Sequence, residues 1–199
     1  MVADPKTEDR PLRADARRNR ERILQAARFA CAEHGASVQI DDVARSAGVG
    51  VGTVYRHFPT KDALIEALVA EKFRITSENM RAALEIEDPW ESFAAALRRN
   101  AEVMAADAGL HDALIRLGPD VSHSDAARAE TEELGGRLVA RAQAAGVLRE
   151  DVSAQDIGIL MAGLCTSMAH PGLDWRRHLE VLLDGLRAHG RPGTDRPLR

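Results

Sequence analysis

Between Ile40 and Phe58 the chain reads IDDVARSAGVGVGTVYRHF, a spacing of small and apolar residues that confines it to two short helices crossing at close range. Ile40, Val43, Ala44 and Ala47 recur at steps of three and four, the period of one helical face. Gly48 follows the last of them, where a left-handed residue lets the chain turn sharply. Ala44 is small enough for a second helix to approach, and Val49 and Val54 are placed to pin that helix down. The second helix then exposes Val51, Thr53, Tyr55, Arg56 and His57. Together these offer a duplex hydroxyl, ring nitrogen, guanidinium and apolar surface. The pattern predicts a helix-turn-helix.

The flanks agree. Thr60 is a good N-cap, and Leu64, Ile65, Leu68 and Val69 open a longer helix after it. Lys61 falls in that helix's first turn, where a cation is unfavourable by a few tenths of a kcal/mol. Its placement makes more sense facing a phosphate. Upstream, Ile23, Ala27, Ala30 and Cys31 share a helical face that stops at Gly35. From Arg10 to Arg28 the chain holds seven arginines and two acids. That cluster is either a solvated face or a surface that neutralises a duplex backbone, and its position beside the helix-turn-helix favours the second. The asymmetry extends to the whole chain. Residues 1–60 carry ten basic side chains against eight acids, whereas 61–199 carry seventeen against twenty-three.

From about Arg18 to Val69 the sequence resembles the DNA-binding domain of the TetR family of bacterial transcriptional regulators. ILQAARFACAEHG, IDDVARSAGVGVGTVYRHF and PTKDALIEAL carry the likeness in order and spacing. The resemblance implies an all-α protein of about nine helices. A flexible basic arm (1–14) would precede a three-helix helix-turn-helix DNA-binding domain (15–60), followed by a ligand-binding and dimerisation domain (61–187) and a loose tail (188–199). It further implies a homodimer on a pseudo-palindromic operator of double-stranded DNA, released by a small-molecule effector. Repression is the family default and activation the alternative. Carried onto this chain, the expected DNA contacts are Arg17, Arg18, Gln39, Arg45, Gly50, Val51, Thr53, Tyr55, Arg56, His57 and Lys61, with Arg20 as a further candidate. Gly50 and Gln39 replace residues that are usually small and hydroxylated in the family. Glycine still caps a helix at a cost of a few tenths of a kcal/mol, and glutamine still donates to phosphate. Gly52 lies inside a short helix at a cost of ~1 kcal/mol, as expected where backbone must come close to a partner.

The remainder reads as helices between caps and breakers. The composition, 45% hydrophobic and 4% aromatic, favours helix nearly throughout. Asp88 and Pro89 start a helix through about Ala106. Gly109 and Gly118 bracket a short one with Leu110, Leu114 and Leu117. A third runs from near Ser124 to Gly146 over Leu134, Leu138 and Ala142. Ser153, with Asp156 three residues on, caps a stripe of Ile157, Leu160, Met161, Leu164, Cys165 and Met168. After Asp174 come Leu179, Leu182, Leu183 and Leu186, flanked by Trp175 and Val181. These last two amphipathic helices either fill one subunit's core or pair with a copy in a four-helix bundle. The dimer reading places Ile157, Leu160, Leu164, Met168, Leu179, Leu182, Leu183 and Leu186 at the interface.

Large or polarisable side chains inside these helices mark a ligand pocket: Met80, Trp90, Phe93, Met104, Leu114, Met161 and Cys165, with His111 as a polar contact. Core packing explains each of them singly. An enzyme would need a constellation, and the pairs Cys165–His170 and Cys31–His34 do not make one. HExxH, paired CxxC and GxSxG are absent from the sequence, so no catalytic residue, metal or cofactor is expected. An interaction module without DNA binding would leave the basic first helix and Lys61 unexplained. No apolar stretch nears the ~20 residues of a membrane span, and the first twenty residues lack the apolar core of a signal peptide. A cytoplasmic protein with reduced, core-packed Cys31 and Cys165 is the expectation.

Overall fold

The computed structural model describes residues 9–34, 37–106, 125–168, 170 and 172–188. Among these it contains eight helices: α1 (Asp9–His34), α2 (Ile40–Ala47), α3 (Val51–His57), α4 (Lys61–Leu84), α5 (Pro89–Ala106), α6 (Asp125–Ala144), α7 (Ala154–Met168) and α8 (Trp175–Leu186). The short helix expected between Gly109 and Gly118 lies outside the described residues. The chain divides into two compact units, and the division falls after Val69, within α4.

In the first unit α1 starts at Asp9, earlier than the expected boundary near residue 15. Pro11 does not prevent this, because the first turn of a helix needs no N–H from it. Ile23, Ala27, Ala30 and Cys31 are buried, as are Leu24 and Ala26. In α2, Val43, Ala44 and Ala47 are buried, and Gly48 ends the helix at φ +64°. A Cβ at Gly48 would lie 2.9 Å from the end of the exposed Arg22 side chain, which can move aside, so the turn requires glycine by its backbone conformation. Val54 and Phe58 anchor α3 from beneath, at 0% and 3% exposure. At the next helix start the Ala63 N–H donates to Thr60 Oγ1 at 3.0 Å, the expected cap. Leu64, Ile65 and Leu68 are buried, and residues 61–69 belong to this unit. The first turns of α4, which begin the second domain in the sequence expectation, thus group with the first unit.

The second unit packs residues 70–84 of α4 with α5 to α8. Its helix starts follow the sequence signals: the Glu91 N–H donates to Asp88 Oδ1 at 2.8 Å and the Arg177 N–H to Asp174 Oδ1 at 3.2 Å. Ser153 and Asp156 cap each other reciprocally, with the Ser153 N–H donating to Asp156 Oδ2 at 2.8 Å and the Asp156 N–H to Ser153 Oγ at 3.2 Å. Trp90, Phe93, Leu97, Leu138, Leu148, Leu179 and Leu183 lie at the heart of the core. Two ion pairs tie α5 to α8 at the surface, Arg98–Glu180 at 2.8 Å and Arg176–Glu102 at 2.8 Å.

This core takes up most of the stripe expected at the interface. Ile157, Leu164, Leu179, Leu183 and Leu186 are buried within the chain's own core, and Leu182 and Met168 pack against it half-buried. α7 packs on α5, α6 and α8, which takes up the regular stripe. The large apolar residues left exposed on these helices are Ile159 (63%), Leu160 (40%) and Val181 (62%). Of the eight expected interface residues, only Leu160 is among the exposed ones.

Candidate nucleic-acid interface and ligand cavity

Burying Val54 on the inner side of α3 forces its other faces outward. Val51 and Tyr55, one turn apart, are 38% and 48% exposed; Gly52 and Arg56 are exposed beside them, and Thr53 and His57 are half-buried. No atom outside the local backbone comes within 4 Å of where a Cβ would sit on Gly50 or Gly52. The start of the helix is therefore unobstructed, and its backbone can approach a surface as closely as glycine permits. Gly50 caps the helix without a side-chain bond. The His57 ring lies 6.3 Å from that of Phe58. The Arg20 guanidinium sits 5.4 Å from the Phe58 ring centroid, a cation–π contact from α1 to the end of α3 that residue spacing alone did not reveal.

The other expected contacts lie on neighbouring surfaces. Arg17 pairs with Glu21 at 3.6 Å, Arg18 with Asp15, and Arg45 with Asp42 at 2.9 Å. All three arginines are more than 60% exposed at the side chain, and such pairs contribute ~0–1 kcal/mol. Exchanging one for a phosphate contact is therefore inexpensive. Gln39 sits at the N-cap of α2, and its Nε2 donates to the Ser37 carbonyl at 2.9 Å rather than to the helix. Lys61 is half-buried at the start of α4. Cys31 and Cys165 are free and buried. Burial pushes both thiols up, offset in part by the charges of Lys61 and Lys72 respectively, so neither is poised as a nucleophile.

The second unit contains a cavity of about 800 Å³, within the range of small-molecule sites. Four of the expected ligand residues line it: Met80, Phe93, Met104 and Met161. Trp90 and Cys165 do not. The Trp90 ring lies 5.8 Å from that of Phe93 and under the Arg187 guanidinium at 4.2 Å, so it supports the wall from the core side. His111 and Leu114 lie outside the described residues. Phe73, Asn100, Thr131 and Gln155 also line the cavity without having been expected. Polar residues on helix faces look solvated in a linear sequence, and only packing shows that Asn100 is buried and Thr131 half-buried, whereas Gln155 stays exposed at the opening. Among the described residues no cluster of three metal-ligating side chains occurs.

A short capped helix lying across a partner helix, with its outer face exposed beside an arginine-rich surface, defines a helix-turn-helix DNA-binding regulator. Residues 23–68 match the model of the bacterial regulatory proteins of the tetR family, and residues 88–188 match that of the C-terminal domain of SbtR-like transcriptional regulators. The chain belongs to the TetR family of transcriptional regulators. It is 40% identical to a TetR transcription regulatory protein from Mycobacterium vanbaalenii, covering 89% of this chain and 99% of that one at a TM-score of 0.66. It is 34% identical to the TetR transcriptional regulator SCO0520 from Streptomyces coelicolor, covering 84% and 98% at a TM-score of 0.63. The HTH-type transcriptional repressor KstR of Mycobacterium tuberculosis is 32% identical over 144 residues, 70% of this chain and 66% of that protein. For KstR of Mycolicibacterium smegmatis the share of the relative is 41%. The chain thus spans between two fifths and two thirds of these curated relatives.

Proposed function

We propose that the protein is a ligand-responsive transcriptional repressor that binds a pseudo-palindromic operator as a homodimer in the cytoplasm and releases it when a small molecule enters the cavity of the second unit. The observation that carries this reading is the exposed face of α3, which presents Val51, Tyr55 and Arg56 beside two unobstructed glycines. Val51 and Thr53 read bases at the front of the helix. Tyr55, His57 and Lys61 hold phosphates, with Arg17, Arg18 and Arg20 adding charge along α1. The naming of KstR as a repressor supports repression over activation. No described helix is long and apolar enough to cross a membrane.

Dimerisation uses Ile159, Leu160 and Val181, the large apolar side chains that the subunit leaves exposed on α7 and α8. A two-fold dimer places two recognition helices on successive major grooves roughly 34–36 Å apart. The effector favours a spacing that no longer fits. α4 is the described helix with residues in both units, and it is the lever. A coupling of ~3 kcal/mol changes operator affinity ~150-fold, and operator must weaken effector binding by the same factor. The test is footprinting on the DNA beside the protein's own gene, with and without candidate effectors. A protected palindrome that opens with an effector is expected; absence of protection at any site in that DNA would count against the reading.

A further inference from the structure

The cavity's polar groups divide by depth. Arg128 and Glu132 pair with each other at 3.0 Å, with side chains 59% and 66% exposed, so this pair belongs to the rim and its charges cancel. Inside, Met80, Phe93, Met104 and Met161 make an apolar wall in which three flexible thioethers can adapt to an apolar guest. Among the fully buried lining residues, one polar group is not consumed by the fold. Asn100 is 7% exposed, and its Oδ1 accepts from Asn79 Nδ2 at 3.0 Å. Its own amide N–H groups have no partner among the described residues. The Thr131 hydroxyl, by contrast, donates to the Ala127 carbonyl at 3.0 Å and lies 2.9 Å from Ser77 Oγ. An amide N–H left open in an apolar wall gains most from an uncharged acceptor that arrives with apolar surface, since a carboxylate there would be desolvated while the one lining cation outside the rim pair, Lys72, is half-buried and already has a partner.

We propose that the cavity takes a large, uncharged, mostly apolar molecule bearing one carbonyl or hydroxyl oxygen, which accepts a hydrogen bond from the Asn100 amide. This rests on the cavity being the effector site. Gly135 reports on occupancy, because it lines the cavity and a Cβ there would meet Met80 Cε at 3.9 Å. A leucine at that position directs its branch into the same space on an otherwise ordinary helix.

The experiment is calorimetric titration of the full chain with a long-chain methyl ketone, and with the n-alkane and the fatty acid of the same carbon count. The ketone should bind tightest. Asn100→Leu keeps the approximate volume and removes the amide donor, while half-buried Asn79 can turn to solvent, and should weaken ketone binding roughly fivefold to tenfold with little effect on the alkane. Gly135→Leu should abolish ketone binding while leaving the circular dichroism spectrum and melting temperature near those of the parent. Fatty acid binding tighter than the ketone and lost in Lys72→Ala would overturn the ligand class, as would ketone binding indifferent to Asn100→Leu or Gly135→Leu. Operator titration separates the two levels. Ketone binding that leaves operator affinity unchanged sinks the effector reading alone, and a fatty acid that binds tighter and releases operator sinks the ligand class alone.

Discussion

The guanidinium of Arg141 donates from Nη1 to the carbonyl of Leu84 at 2.7 Å, which closes the C-terminal end of α4 from the neighbouring helix α6. Nη2 of the same side chain donates to the carbonyls of Ile86 and Glu87 at 2.8 and 2.7 Å. One planar cation thereby satisfies three carbonyls that the end of α4 and the turn into α5 leave without helical partners. Arg141→Met keeps the aliphatic stem and removes the donors. We expect a loss of about 2–3 kcal/mol and a melting temperature lower by roughly 5–10 °C, measured by thermal denaturation. Arg141→Lys should recover only part of the loss, because an ammonium lacks the fork that spans three acceptors.

On DNA, Lys61→Ala should weaken binding to all sequences and reduce the slope of log affinity against log salt by about one. Thr53→Ala should instead change which base is preferred and leave the slope unchanged. Fluorescence anisotropy at several salt concentrations on operator and scrambled duplexes distinguishes the two roles. A Lys61→Ala protein with altered base preference and an unchanged slope would reverse this assignment.

For assembly, the exposed apolar surface separates two outcomes that a substitution in the buried stripe would merge. Val181→Glu or Ile159→Glu places charge on residues more than 60% exposed in the subunit. Either should yield folded monomers by sedimentation with weakened operator binding. Leu183→Glu, at a residue 1% exposed, buries a charge in the subunit's own core and should unfold the second unit instead. Intact dimers for both exposed-face variants would place the interface elsewhere.

Acid stability should depend on two carboxylates. Hydrogen bonds from the Ser153 side chain and backbone hold Asp156 below the usual carboxylate range, and the Arg98 guanidinium does the same for Glu180. A depressed folded pKa contributes stability that is present above the unfolded value of about 4 and is lost as pH falls through the folded value. Asp156→Asn and Glu180→Gln should therefore flatten the decline in urea midpoint on the acid side of about pH 4, with little change in pH dependence near neutrality. The same acid slope in the double variant and the parent would assign the sensitivity to other groups.

Local chemistry in the sequence determined where helices start and stop. Thr60, Asp88, Ser153 and Asp174 cap them with bonds between residues three apart, and Gly48 turns the chain because of its own backbone freedom; such signals act over a few residues and are readable without the fold. The α3 face was legible for the same reason, since burying Val54 sets the direction of Val51 and Tyr55 through helical geometry. Periodicity could not say which neighbour would cover a given stripe. Leu179 and Leu183 look the same in sequence whether they face their own core or a second subunit, and the packing of α7 and α8 decided it, leaving Ile159 and Val181 outside. Asn100 likewise reads as an ordinary polar residue on α5. Only tertiary structure brings Asn79 beside it and the cavity in front of it, because inward or outward is a property of what packs across from a residue and not of the residue itself.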